Sequence, residues 1–337
     1  MKNFYRFIFI FILSLFYINT LLPQTGGFQT TTSMNESREW PAAVLMPDGK
    51  VFVTGGLPGS GNAGAGPSRN STEIYDPTTE TWTVKANLIQ KRGVHKAVLL
   101  NDGNVLVVGG QSSSITGMTH YNTGEVYDPS INAFSSVSNN MTEGRAFPLA
   151  ILLNDGNVLV AGGENVSGVS NTADIYDPIT NTFTQVGNMT VRRAYSTATL
   201  LNNGKVLVVG GEGADIYDPI TETFSYVGNM SVTRWNHTAT KLNDGNVLIA
   251  GGHPHNSAEI FDPIANTFTL LADPMSSVRY RHTSTLLDNG KVLIVGGVRE
   301  IPLELATAEV FDPITESFGE VLSLNDGRFA TEPGLPS

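Results

Sequence analysis

The sequence predicts an all-β fold: a β-propeller of six blades, each blade a sheet of four antiparallel strands. Three observations predict it. Six Gly-Gly pairs punctuate the 337 residues, at Gly55-Gly56, Gly109-Gly110, Gly162-Gly163, Gly210-Gly211, Gly251-Gly252 and Gly296-Gly297. Six residues before each pair stands the glycine of an Asp-Gly or Asn-Gly dipeptide: Asp48-Gly49, Asp102-Gly103, Asp155-Gly156, Asn203-Gly204, Asp244-Gly245 and Asn289-Gly290. After each pair comes a loop of variable length and then an acid, a β-branched residue, an aromatic and Asp-Pro, as in Glu73-Ile74-Tyr75-Asp76-Pro77. Fixed spacing around one variable loop marks a single module repeated six times.

Each element follows in order. The first strand is an apolar run such as Ala97-Val98-Leu99-Leu100, closed by the Asp-Gly or Asn-Gly turn. Such dipeptides between apolar runs are a strong hairpin signal and predict a type I′ turn. The second strand, such as Val292-Leu293-Ile294-Val295, is apolar throughout and so predicts burial on both faces. The third strand ends at Asp-Pro, a turn initiator. Six residues after that Asp a further aromatic opens the fourth strand: Trp82, Phe134, Phe183, Phe224, Phe268 and Phe318. The units run roughly 35–87, 88–140, 141–188, 189–229, 230–274 and 275–322. One four-stranded sheet cannot bury both its faces. Radial stacking of copies does so, and closing the ring leaves no unpaired end blade.

Composition agrees. Charged residues are 15% of the chain, against about 25% in ordinary domains. The net charge of −11 repels phosphate backbones and argues against nucleic acid as a partner. There is no cysteine, which removes disulfides, thiolate catalysis and cysteine-based metal sites. Lys2 and Arg6 precede an apolar run from Phe7 to Ile18 broken by Ser14. That pattern reads as a signal peptide over 1–24, with an uncleaved anchor as the alternative. The expected mature chain is one domain, 25–337, without a membrane span, monomeric, and secreted, periplasmic or on the cell surface.

Gly-Gly, Glu-x-Tyr-Asp-Pro, Trp or Phe, then Met-x-x-x-Arg together resemble the kelch motif. The resemblance covers residues 28 to about 322. It implies that the first strand of each unit lies nearest the axis, that the strand opening on Trp or Phe lies at the rim, and that the ring is closed by a strand borrowed from the other chain end. Phe28–Met34 resembles such a strand, yet the last unit has its own at Phe318–Leu322. Two arrangements stay open: six blades, or a seventh left incomplete, since Leu324 and Arg328 echo the Met-x-x-x-Arg spacing.

The candidate ligand-binding residues cluster where each unit begins. Ten residues before each turn is an arginine: Arg38, Arg92, Arg145, Arg193, Arg234 and Arg279. The resemblance places them in a ring at the channel mouth. There they either pair with carboxylates, as burial would require, or attract an acidic ligand. Aromatics follow at Trp40, Phe147, Tyr195, Trp235 and Tyr280. They either pack between blades or stack on sugar rings. A sialic acid would suit arginines beside aromatics. His95, His237 and His282 start inner strands and read as structural fillers before they read as a metal site. The repeated acids of the third strand read as structural too, because an enzyme needs one constellation rather than six.

These features favour a binding module for a protein or glycan ligand, with no cofactor, over an enzyme. The alternative is a sugar-active enzyme resembling the exported sialic-acid mutarotase of this architecture. For it Glu39, Glu143, His95, His237 and His282 are the acid–base candidates. A galactose-oxidase-like copper enzyme also shares the architecture, but that family needs a tyrosine cross-linked to a cysteine, and this chain has none.

Overall fold

The computed structural model describes residues 31–58, 68–114, 117–300 and 303–324. The expected signal segment, residues 28–30 of the expected closing strand, and Arg328 lie outside them. Six antiparallel sheets form the ring, and the described residues contain no helix. Blade one pairs Ala42–Leu45, Val51–Thr54, Thr72–Asp76 and Thr81–Lys85 in chain order from the axis outward. The inner strands of blades two to six are Lys96–Leu99, Leu149–Leu152, Thr197–Leu200, Thr238–Lys241 and Thr283–Leu286. In blade four the second and third strands run together as Val206–Asp218, folding back against Thr223–Arg234. The ring therefore has six blades and not seven. Leu324 ends the last one by donating its N–H to Ala306 O, the bond that Leu88 makes to Asn70 in blade one.

The apolar second strands are buried along nearly their whole length. Their side chains mesh between neighbouring blades. Leu106 and Val108 of blade two meet Val158, Val160, Tyr176 and Met141 across one seam, and the same pattern joins blades three to four, four to five and five to six. Within each blade the third-strand aromatic faces the fourth-strand aromatic across the ladder, from Tyr75–Trp82 at 5.2 Å to Phe311–Phe318 at 5.1 Å. Between blades six and one the apolar residues fall into two separate clusters, one around Val51, Val53, Tyr75 and Met34, the other around Leu293 and Ala308. This seam joins the two ends of the chain.

The hairpin turn departs from the type I′ expectation. Met46 N–H bonds to Lys50 O, Gly49 N–H bonds to Met46 O, and only Gly49 is left-handed, at φ +79°. The loop is a type I turn followed by a left-handed glycine, three residues rather than two. The Asp side chain supplies the reason: Asp48 Oδ1 accepts from Lys50 N–H, which holds Asp48 itself in an ordinary conformation. The other five units repeat this pattern with Gly103, Gly156, Gly204, Gly245 and Gly290.

The Gly-Gly pair, by contrast, is required by space as well as by angle. Gly251 has φ +63°, and a methyl there would collide with Arg279 O and come 2.8 Å from His282 Cε1. Gly49 has φ +79° with nothing within 4 Å of an added methyl. Gly251→Ala should therefore lower stability by more than about 2 kcal/mol, and Gly49→Ala by about 1 kcal/mol, the left-handed cost alone. Urea unfolding of the two variants checks this, and equal midpoints would contradict the steric account.

Candidate functional site

The start of each inner strand, the Gly-Gly pair and the loop after it lie at one face, opposite the Asp-Gly turns. All six arginines are there, but not as a ring open to solvent. Each is between 0% and 8% exposed. Arg92 shows the pattern: Nη1 donates to Gly109 O at 2.7 Å and Thr123 O at 3.2 Å, and Nη2 donates to Glu125 at 2.7 Å. The equivalent ion pairs are Arg38–Glu73, Arg145–Asp174, Arg193–Asp215, Arg234–Glu259 and Arg279–Glu309, at 2.5 to 3.1 Å. The carboxylate also accepts an N–H from the incoming connector, as Glu125 does from Ile89 at 2.6 Å. Arg38, Arg92, Arg145, Arg193, Arg234 and Arg279 are thus internal ties, the carboxylate pairing that was one of the two readings of their spacing. A buried guanidinium needs its partner, and every third strand provides one.

The aromatics divide by position. The second residue after each arginine is Trp40, Val94, Phe147, Tyr195, Asn236 or Arg281, and all six are left-handed, with φ between +51° and +56°. Their backbones form a chain from blade to blade: Val94 N–H to Trp40 O, Phe147 N–H to Val94 O, Asn236 N–H to Tyr195 O, and Arg281 N–H to Asn236 O. Trp40 of blade one meets Phe147 of blade three edge-on at 5.0 Å, and Phe147 meets Tyr195 of blade four at 4.4 Å. Blades one and three are not neighbours, so these side chains meet over the axis. The Arg281 guanidinium lies over the Trp40 ring, 4.4 Å from its centre. Trp40 and Phe147 therefore plug the channel mouth.

Trp235 and Tyr280 sit one residue after their arginines and pair instead with the residue after Gly-Gly, as Trp235 does with His253 and Tyr280 with Val298. Trp235 is 43% exposed, whereas Tyr280 is buried with its ring against His253, 5.1 Å between centres.

Four of the predicted residues meet at one recess of about 540 Å³: Arg193, Tyr195, Trp235 and Tyr280, joined by Glu164, Val169, Arg192, Ala194, Gly211, Asn236 and His253. Its cause lies in loop length. Blade three raises a ribbon of Glu164–Asn165 paired with Gly168–Val169, and blade six raises Val298–Glu300 paired with Leu303–Glu304. Blade four turns back directly at Gly211-Glu212-Gly213 and leaves a gap beside that wall. The Tyr195 hydroxyl donates to Glu164 at 3.2 Å, and burial together with that carboxylate pushes its pKa up to about 12. Arg192 is fastened to Val169 O at 2.8 Å. The sequence reading missed Glu164, Arg192 and Asn236 as site residues. Glu164 and His253 share one repeat position, directly after Gly-Gly, which alignment of the six units exposes.

The acid–base candidates lie elsewhere. His95, His237 and His282 are fully buried, and each Nε2 meets a threonine of the preceding blade: Thr54 at 2.7 Å, Thr197 at 3.0 Å and Thr238 at 2.9 Å. Burial, then the nearby arginines, holds all three far below the usual imidazole range, His237 at about 3. Glu143 accepts from Ser170, Thr172 and Asn165. Burial would raise its pKa, but those hydrogen bonds outweigh it and lower it. Glu36 does the same work in blade one with Ser71 and Arg69, so Glu143 is a repeat feature and not a singular acid. Glu39 is half-buried beside Trp40.

A sequence model of the kelch motif matches residues 41–89, 92–141 and 148–190. The chain is 34% identical over 128 residues to kelch repeat-containing protein kel-10 of Caenorhabditis elegans, over 35% of this chain and 21% of that protein. It thus spans about a fifth of that relative's length. Among solved structures, a fungal alcohol oxidase of the AA5 family in complex with copper superposes with a TM-score of 0.70 at 20% identity, over 86% of this chain and 66% of that one. YjhT superposes with a TM-score of 0.63 at 16% identity, over 86% and 99%. At these identities the likeness is one of fold. Copper-radical chemistry does not fit the residues present: the chain has no cysteine, and no group of three or more His, Asp or Glu among the described residues is placed to hold a metal.

The buried histidines set a pH dependence. Their folded pKa values lie below the unfolded value near 6.5, so the unfolded chain takes up protons that the folded one refuses. Stability is complete above about pH 6.5 and falls by about 1.4 kcal/mol per pH unit for each such histidine as pH drops. Urea unfolding between pH 6.5 and 5 should show a slope close to three histidines' worth, and His237→Gln should remove about one third of it. A flat profile over that interval would contradict the burial of the three rings.

Proposed function

This chain is a kelch-repeat β-propeller, and on that premise we propose that it is a binding module which holds a glycan in the recess above blade four. Kelch-repeat propellers serve as protein-interaction modules, and a binding role needs no singular acid–base pair. One observation carries the glycan reading: Trp235, 43% exposed, forms a wall of a concave site that also offers Tyr195, Asn236, Arg192 and Glu164. A sugar presents a C–H face to an aromatic ring and hydroxyls to amides and charged groups. A recess of about 540 Å³ suits a small ligand better than a flat protein surface. The N-terminal apolar stretch supports action outside the cytoplasm. Among the described residues no helix is long and apolar enough to cross a membrane.

A sugar-active enzyme is the second reading, and one observation favours it: Glu164 and the Tyr195 hydroxyl, hydrogen-bonded at 3.2 Å, face the same recess. Turnover of a bound sugar, lost in Glu164→Gln with binding kept, would select it.

A glycan array followed by calorimetry on the best binder tests the proposal. Trp235→Ala should weaken binding at least about tenfold, the loss expected of a central aromatic contact. Ile179→Ala, a substitution at a 93% exposed turn on the opposite face, should leave it unchanged. An array without binders, beside a clean protein partner in a pull-down, would replace the glycan with a protein. Binding untouched by Trp235→Ala would move the site elsewhere.

A further inference from the structure

Blade four lacks a main-chain pairing that the other five blades make, and the recess lies where it is missing. In blade three the residue after the tying arginine, Ala146, donates its N–H to Glu164 O at 2.8 Å and accepts from Glu164 N–H at 2.7 Å. Glu164 is the residue directly after Gly162-Gly163. Blades one, two, five and six bridge the same two positions. In blade four those positions are Ala194 and Glu212. Glu212 is drawn instead into the pairing of Val206–Asp218 with Thr223–Arg234, at a register shift between Gly211 and Gly213. The N–H and C=O of Ala194 are left without a hydrogen-bond partner among the described residues. Ala194 is 7% exposed and lines the recess together with Gly211.

The flanking bonds show that the backbone at Ala194 keeps the course of the repeat. Arg193 N–H donates to Ser170 O at 2.9 Å and Arg193 O accepts from Gly163 N–H at 2.8 Å, as Arg145 does with Tyr121 and Gly110. Tyr195 is left-handed at φ +53°, like its five equivalents. The Ala194 N–H and C=O therefore point together, as those of Ala146 do, into the place that a residue after Gly-Gly takes elsewhere. Buried main-chain groups are nearly always paired. A ligand seated here meets a donor and an acceptor that the fold itself leaves unmatched.

Their complement is an acceptor and a donor side by side. A carboxylate offers acceptors only. Adjacent hydroxyls of a sugar ring offer both, because each donates one hydrogen and accepts on its oxygen. An extended peptide residue also offers both, as the other blades show. The walls decide between the two. The blade-three ribbon at Glu164 and Val169 and the blade-five residues Trp235 and His253 bound the recess to about 540 Å³, a space for a small ligand. Trp235 adds an exposed aromatic face beside it.

We propose that the recess recognises a neutral saccharide by two adjacent free hydroxyls, one accepting from Ala194 N–H and its neighbour donating to Ala194 C=O, with the sugar ring against Trp235. This rests on the glycan reading of the recess and adds the main-chain contact and the hydroxyl pattern of the ligand. No bond is made or broken.

NMR of the protein carrying isotope-labelled alanine tests it, with methyl glucoside, methyl galactoside and methyl mannoside as probes. Ala146, whose N–H is already bridged, is the internal control. A sugar that binds should shift the Ala194 amide resonance and slow its exchange with solvent about fivefold or more, leaving Ala146 unmoved. Among monodeoxy derivatives of that sugar, loss of either of two adjacent hydroxyls should weaken binding about fivefold, the worth of one hydrogen bond, and loss of any other should not. Ala194→Pro removes the N–H without removing a bond that the fold uses. It should weaken the parent sugar and abolish the effect of one of the two deoxy changes, with circular dichroism and the urea midpoint establishing that the variant folds; the wild-type measurements stand without it. A sugar that binds without moving the Ala194 amide, or without an adjacent pair of sensitive hydroxyls, would overturn the main-chain contact and leave the glycan reading intact. Silence of all three sugars would overturn the proposal, and an alternating valine–threonine peptide shifting Ala194 in their place would overturn the glycan reading as well.

Discussion

The structure depends on one repeated tie: a buried arginine that joins three chain segments which are far apart in sequence. In each blade the guanidinium holds the first carbonyl of Gly-Gly, a carbonyl just before the third strand, and the carboxylate within that strand. The carboxylate returns a bond to the connector that brings the arginine in. The arginine's own carbonyl then accepts from the preceding blade, as Arg279 O does from Gly252 N–H at 3.0 Å. The same side chain thus closes its blade and its backbone docks that blade on the last. Buried ion pairs contribute little net stability in general, because desolvation offsets attraction. Here the gain is specificity: no other side chain satisfies two carbonyls and a carboxylate in one plane.

This tie leaves the loops after Gly-Gly free to vary, and function follows from that freedom. In blades two, three and six the loop rises as a two-stranded ribbon beyond the blade. Where it shrinks to a direct reversal, as at Gly211-Glu212-Gly213, the neighbours become walls. A symmetric scaffold acquires a singular site because the loop of one repeat is shorter than those of its neighbours. The axial residues show the same logic: the left-handed backbone is common to all six, while the side chains run from Trp40 through Val94 to Arg281.

Much of this was legible in the sequence. Gly-Gly, Asp-Pro and the paired aromatics fixed the strands because each has a local reason to be there, and the acids of the third strand were readable as structural because they repeat. The turn type was not legible: Asp-Gly serves both a two-residue and a three-residue loop, and the choice rests on the Asp48 side chain bonding to Lys50 N–H. The arginines were legible as a repeated set, but both of their roles stayed open, because spacing alone does not tell a charge at a channel mouth from one a few ångströms deeper with a partner. Trp40 and Trp235 looked alike for a related reason. They differ by one position relative to their arginines, and one residue decides between the axial plug and the recess. Glu164 and His253 lie in variable loops, where position carries meaning only after the blades are superposed.

The most direct measurement is a double-mutant cycle on one tie, Arg234→Met and Glu259→Gln, read by urea unfolding. Both side chains are fully buried. Each single change should cost about 3–5 kcal/mol, because each leaves a buried group unpaired, and the double should cost less than the sum by more than about 1 kcal/mol. Single changes below about 1 kcal/mol that simply add would mean that the blades hold together without the arginine.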